Sequence, residues 1–584
     1  MKNFGTIDLS TLDLSLNAID NVVVSASKNV VVFPEGSEVL VRKNRDFNFS
    51  GWVNAGKIET NTVAASFEYD TYKIKLLETE NSVFRVRPLR QEDGLKSIPM
   101  VSSLTGVAGE LFIDDPSNRS GNNVKFEHYP ILKATSKAKI FYNSKDIFRG
   151  VYDSTRFYYT LEPFELDSLN GFKESALRLK GSLTSAGIFP VFKEEIQIMP
   201  DYSFGFSTKA PTGGFQFYGT DAKYENKVIL SHNGLQGAGT INFINSTSVS
   251  KGLSFLPDST VGIAKFVNRP SETGIQFPPV LAEEAYITYV PKKNILKAAS
   301  MPKQNLDFFG GEAKMKGTAI ISPKGMTGIG LMTFETATLI SDNFKYKRYD
   351  IDADTSSFNL KNDNEDVSED PLSFKTDNVT SHVSFKERKG EFTSNQGEST
   401  VEFPLNQYMC KMDKFTWFMD DYAIEMERQQ DRDVAINSGV DLKGPNFYST
   451  HPKQDSLQFM APKAKFSIKD KTIYCDKVEY IDIADARIFP DSMKLNIRKK
   501  AKIDKLVNSE IVANYITKYH KFVKSEVEIL ARRDYKASGE YAYYDLDSNI
   551  TYIVMKDIGL DTAYQTKAHG VIDQSVNFKL SPKF

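Results

Sequence analysis

Apolar and polar residues alternate with a period of two along much of the chain. Glu38-Val39-Leu40-Val41-Arg42, Tyr72-Lys73-Ile74-Lys75-Leu76, Phe84-Arg85-Val86-Arg87 and Glu526-Val527-Glu528-Ile529 are examples. Successive side chains of a strand point to opposite faces, so such runs predict half-buried strands. The runs are short and bounded by Gly, Pro, Asn, Asp and Ser, as strand ends are. Helical periodicity is scarce. Asp421 to Asp433 predicts a short helix. Between Ala501 and Ala531, Ile503, Leu506, Val507, Ile511 and Tyr515 also fit a helical face, but strands are favoured.

An internal repeat is the strongest signal. Ser231-His232-Asn233-Gly234-Leu235-Gln236-Gly237-Ala238-Gly239 returns as Ser322-Pro323-Lys324-Gly325-Met326-Thr327-Gly328-Ile329-Gly330, an offset of 91 (322 − 231). The same offset relates Tyr218-Gly219 to Phe309-Gly310, Phe243 to Phe334, Ser250 to Ser341 and Phe255 to Tyr346. Each copy predicts strand, tight turn, strand. Gly234, Gly237, Gly239, Gly325, Gly328 and Gly330 are therefore expected as structural turn residues, because glycine permits the positive φ of a reversal. A phosphate cradle is excluded: the glycine spacing is wrong, no helix follows and no P-loop lysine is present.

These patterns predict an all-β fold with few short helices. The expected form is an elongated β-repeat assembly, mainly antiparallel or mixed, built as a solenoid, a taco-like groove or chained β-sandwiches. Expected segments are 1–104, 105–204, a repeat pair at 205–360, an acidic linker at 361–372, then 373–430 and 431–584. The linker (KNDNEDVSED and its flank) is polar and lacks aromatics, and a second polar break lies near Gln429 to Lys443.

Composition narrows the function. The chain has 584 residues and a net charge of −2, which gives no reason to expect nucleic acid as a partner. Its 41 Phe and 27 Tyr beside 2 Trp suit sheet packing more than ligand platforms. Cys410 and Cys475, far apart, match no zinc or redox spacing and are expected as buried thiols, with one long-range disulfide the alternative. Met1 to Phe33 lacks the pattern of a signal peptide, and no run of about 18 apolar residues predicts a transmembrane helix. Both ends look cut from a longer protein. The expected location is the periplasm or cell envelope if an upstream signal is missing, and the cytoplasm otherwise.

No residue is assigned a catalytic, cofactor or metal role. The histidines (128, 232, 382, 451, 520 and 569) are expected on surfaces or turns, since no two have ligand spacing. Asp350, Asp352 and Asp354 imitate the start of a calcium loop, but Thr355 and Lys361 occupy its glycine and glutamate positions, so a wet strand face is expected. Asp482, Asp485 and Asp491 are spaced as glycosidase carboxylates could be, though an Asp485–Arg487 structural pair is favoured. The basic run Arg498-Lys499-Lys500-Ala501-Lys502 is expected as a solvated strand edge.

The segments Gly109-Glu110-Leu111-Phe112-Ile113-Asp114-Asp115-Pro116, Ser231 to Gly239, Thr450 to Leu457 and Tyr480 to Pro490 resemble very large Bacteroidota envelope or secreted β-repeat proteins. That resemblance brings no activity or functional residue. The cadence of Phe374 to Val379, Val383-Ser384-Phe385 and Gly390-Glu391-Phe392 is similar to LptA/OstA and TamB-type β-groove proteins, which implies short strands stacked around an acyl-chain groove. Three functions follow as expectations. One is a non-enzymatic structural or scaffolding envelope protein, partnered by other envelope proteins. The others are a lipid or glycolipid carrier and a polysaccharide-binding or polysaccharide-active protein.

Overall fold

The computed structural model describes residues 4–88, 96–362, 370–395, 397, 399–428, 444–545 and 547–572. The fold is all-β, with 60% strand, 4% helix, large antiparallel sheets and no helix of seven or more residues among the described residues. Two compact units form. One comprises residues 1–266 with 283–297, the other 267–282 with 298–584.

One device recurs within each unit: a long strand shared by two shorter ones. In the first unit, Lys73–Val86 pairs along one edge with Ile58–Glu68. On its other edge Gly109–Phe112 covers one end and Ile98–Leu104 the other. Lys223–Ser231 is likewise divided between Phe204–Lys209 and Phe215–Gln216. In the second unit, Leu372–Ser384 is divided between Lys389–Ser394 and Ser399–Phe403.

At each division a backbone carbonyl of the long strand would be left without a ladder partner. The connection between the two short strands supplies one. Gly106 N donates to Thr79 O at 3.2 Å, Ala210 N to Asn226 O at 2.7 Å and Asn395 N to Asn378 O at 3.3 Å. The bond lets the sheet part without an orphan acceptor, which matters most at buried Thr79, because a buried unpaired backbone group is costly. Asn226 and Asn378 have φ of 90° and 56°, a region asparagine tolerates better than branched residues do.

Beyond Leu372–Ser384 the sheet continues as two walls. One runs through Lys389–Ser394, Lys414–Phe418, Ala423–Glu427, Lys463–Ser467, Thr472–Asp476 and Lys494–Ile497. The other runs through Ser399–Phe403, Tyr408–Met412, Phe447–Ser449 and Gln458–Phe459. Aromatic rings fill the space between them. Phe403 of one wall lies 5.3 Å from Phe466 of the other, and Phe374 lies 5.5 Å from both Phe403 and Phe415. Phe392 stacks on Phe415 at 4.5 Å. In the first unit Phe189, Phe217, Tyr224, Phe255 and Tyr289 form a similar cluster. Period-two burial of large apolar side chains produces both cores.

The repeat is a repeat of structure. Lys223–Ser231, Gly234–Phe243 and Ser246–Leu256 correspond to Ala313–Ser322, Gly325–Phe334 and Ala337–Tyr346. Ser231 pairs with Gly234, and Ser322 with Gly325. Both copies carry a register shift between the second and third glycines. Tyr218 and Phe309 share φ near 53° (52° and 54°). Ser250 Oγ donates to Ile263 O at 2.6 Å, and Ser341 Oγ to Thr355 O at 2.7 Å.

Several expectations are revised. Of the six glycines, Gly234 (φ 85°) and Gly325 (φ 124°) close the hairpins, one place after the turns His232–Asn233 and Pro323–Lys324. Gly237, Gly239, Gly328 and Gly330 lie inside strands, where neighbours approach closely. A Cβ on Gly239 would stand 2.1 Å from Glu225 O, and one on Gly237 would stand 2.3 Å from the Tyr224 hydroxyl. The helix expected from Asp421 begins instead as the strand Ala423–Glu427, because Ile424 and Met426 face inward while Glu425 and Glu427 face out. Residues 429–433 of that stretch, and the polar break 429–443, lie outside the described residues. The expected boundary at 361–372 falls within the second unit. There Lys361 pairs with Leu372 and Asn362 N donates to Pro371 O at 2.8 Å, closing a hairpin whose residues 363–369 lie outside the described ones. Leu372–Ser384, expected as short strands with turns, is one strand in which Asn378 alone has a positive φ.

Two stability predictions follow from this geometry. Asn378→Val should cost about 1–2 kcal/mol and Asn378→Gly close to nothing, as read by urea unfolding, because only the branched side chain opposes the left-handed backbone. Gly239→Ala should cost about 3 kcal/mol by overpacking, but Gly325→Ala only about 1 kcal/mol. At Gly325 the nearest atom to an added Cβ is 3.6 Å away. Equal losses at Gly239 and Gly325 would contradict the division into close-approach and turn glycines.

Candidate ligand-binding hollow

A surface hollow of about 700 Å³ opens in the second unit. Three separate segments build it, of which Arg532–Arg533 is a turn. Lys477 (φ 61°) follows the strand Thr472–Asp476 and begins the segment that carries Glu479, Tyr480 and Asp482. Arg532 and Arg533 form the turn between His520–Ala531 and Asp534–Tyr544. Gly444, Pro445, Gln458 and Met460 line a further side. Buried Arg428 fixes that side by donating from Nη1 to Gly444 O at 2.9 Å.

A charged and aromatic stack stiffens the wall. Asp482 lies directly across the ladder from Arg487, and the two form a bidentate pair at 2.8 and 3.0 Å. Arg487 Cζ sits 3.8 Å from the Tyr480 ring centroid and 5.0 Å from that of Tyr515. The bond to Asp482 chiefly, against a smaller burial penalty, raises the guanidinium pKa further, so the arginine is charged at every relevant pH. Tyr480 is 38% exposed, leaving ring surface for a ligand. Arg533 is held by Asp455 at 3.7 Å and lies over the Tyr564 ring. Arg532 is exposed, and its backbone bonds to Gln454 and Ala484 aim the turn. Among the described residues, no partner engages the charged ends of Lys477 and Arg532.

Compared with known proteins, the chain matches no family model and, at a significant level, no curated protein. Its chemistry has to be read from the side chains themselves.

The other residues singled out by sequence lie elsewhere or have structural partners. Asp485 occupies the turn after Ala484, and its carboxylate accepts from Thr566 N and Oγ1, the latter at 2.6 Å. Arg487 therefore pairs with Asp482 and not with Asp485, because only Asp482 is its cross-strand neighbour. Asp491 meets Ser492 and Asn508 at the surface. Asp352 and Asp354 do share a strand face, where each carboxylate is taken by a lysine, Lys347 at 3.0 Å and Lys345 at 2.7 Å. Burial opposes ionisation of Asp352, but His382 and Lys347 outweigh it and lower its pKa. The basic run is a tight turn rather than a strand edge. Arg498 grips Asp504 at 2.6 and 2.9 Å, while Lys500 N and Ala501 N donate to Leu405 O and Asn406 O. Cys410 and Cys475 are free and buried, and burial raises both thiol pKa values far beyond reactivity.

Four histidines have partners in turns and ladders, among them His569, which lies across a ladder from Asp557 at 3.8 Å. His451 Nδ1 accepts from Lys453 N at 3.1 Å, and His382 pairs with Asp352. His520, half-buried, contacts the Tyr541 hydroxyl through Nδ1 at 3.1 Å. The hollow itself was only partly legible: Tyr480 and Asp482 stand in a segment singled out above, but Lys477 and the Arg532–Arg533 turn join them only in space.

A pH prediction follows from His520. Burial lowers its pKa from 6.5, with Asp485 opposing, so the folded protein holds fewer protons there than the unfolded chain. This contribution is present above pH 6.5 and is lost as the pH falls through the lowered folded value. The His520→Gln variant should lose part of the stability gained between acid and neutral pH, as read by thermal melts across a pH series. An unchanged pH profile would contradict the assignment.

Proposed function

We propose that this chain is a non-enzymatic structural or scaffolding β-repeat protein of the bacterial cell envelope, with other envelope proteins as partners. The observation that supports this reading is the filled interior. Aromatic rings at 4.5–5.5 Å centroid spacing occupy the space between the two walls. An apolar pocket in the first unit, bordered by Val53, Ile58, Leu76, Leu111 and Leu132, has a volume of only about 10 Å³. An acyl chain needs a continuous dry trough, whereas this space is near the lower limit for one water. The envelope setting rests on the resemblance to large Bacteroidota β-repeat proteins.

Lipid or glycolipid carriage is the second reading. The two facing walls favour it, because parting them would create a groove.

Organic extraction of the purified chain, followed by mass spectrometry, separates the two readings. The scaffold reading expects no lipid in stoichiometric amount. One bound acyl lipid per chain, retained through detergent-free purification, would replace it with carriage.

A further inference from the structure

We propose that the 700 Å³ hollow beside Tyr480 is a binding site for an acidic oligosaccharide, one whose sugar rings carry carboxylate groups. This goes beyond the scaffold reading and does not depend on it.

The argument starts from unmatched chemistry. Lys477 and Arg532 present two cations to one concavity, while Arg487 and Arg533 are already paired with Asp482 and Asp455. Exposed lysines and arginines usually spread into solvent. Here two of them line one recess from separate segments, and backbone bonds of Arg532 to Gln454 and Ala484 hold its turn in place. Set against the single carboxylate of Glu479, which has no ion pair among the described residues, these two cations leave a positive excess that favours an anion.

Shape and hydrogen bonding select a sugar among anions. Tyr480 is backed by Arg487 on one side, so its ring is fixed without being covered. A sugar ring has an apolar C–H face that lies against such a ring and a rim of hydroxyls that need both donors and acceptors. Gln458 supplies both and Glu479 supplies an acceptor at the same recess. A bare phosphate or sulfate would use the cations and leave the tyrosine and these acceptors unused. The hollow is also large enough to take more than a single small ion, within the range of about 300–1,000 Å³ typical of ligand sites.

The test is titration calorimetry on the full chain with tetragalacturonate, the neutral cellotetraose and inorganic sulfate as probes. Tetragalacturonate should bind, and raising the salt to about 0.5 M should weaken it, since exposed charges are screened. Tyr480→Ala and Arg532→Gln should each weaken it at least tenfold. Arg532→Gln alters an exposed side chain, so it remains informative if the tyrosine variant is unstable. Absence of tetragalacturonate binding, equal binding of cellotetraose, full competition by sulfate at equal concentration, or undiminished affinity in Arg532→Gln would each overturn the proposal.

Discussion

A long strand must keep its backbone groups bonded where its neighbour ends, and the architecture of both units depends on how this is done. Two short strands share one edge of the long strand, and an amide of the connection between them caps the carbonyl at the gap. Thr79, Asn226 and Asn378 are the three capped positions. Once that carbonyl is bonded, the two halves of the edge no longer need to lead into the same sheet. In the second unit they lead into two walls, and the aromatic layer between the walls follows from that parting. At buried Thr79, losing the capping bond would leave an unpaired acceptor at a cost of about 1–3 kcal/mol, whereas at exposed Asn226 water could take its place.

The same arrangement explains why the interior and the surface have different characters. Alternation along each wall sends Phe and Trp inward, where they interlock, and leaves Lys–Glu pairs on the outer ladder. Lys463 with Glu427 and Lys465 with Glu425 are examples. Such exposed pairs contribute little to stability, but they keep the outer face wet. The hollow at Tyr480 forms where the Arg532–Arg533 turn meets the segments that begin at Lys477 and at Gly444.

Much of the fold was legible because strand alternation and hairpin glycines are local signals. The repeat was legible for the same reason, down to Ser250 and Ser341, which make matching bonds. The roles of Gly237, Gly239, Gly328 and Gly330 were not, because a close approach is a property of the neighbouring strand. Asp485 and Asp482 show the same limit: both lie within reach of Arg487 in sequence, but the hairpin register alone decides the pair. The stretch after Asp421 carried a helix-like sequence, but pairing with Lys414–Phe418 and Lys463–Ser467 settled it as a strand. Lys477 and Arg532 stand 55 residues apart (532 − 477), so nothing local connects them.

The glycine step in the two repeats carries a record of their divergence. In the first copy Tyr224 crowds Gly237, with Phe255 alongside. In the second, Tyr346 at the Phe255 position crowds Gly328, and Met315 takes the place of Tyr224. Each copy thus places one phenol against its glycine, contributed from opposite neighbouring strands. Single-letter drift from one arrangement to the other must pass through a state with two phenols at the site or none. The two halves of the exchange are therefore tied to one another, and a hybrid that joins strands from both copies would inherit a mismatch at this one position even where every backbone register agrees.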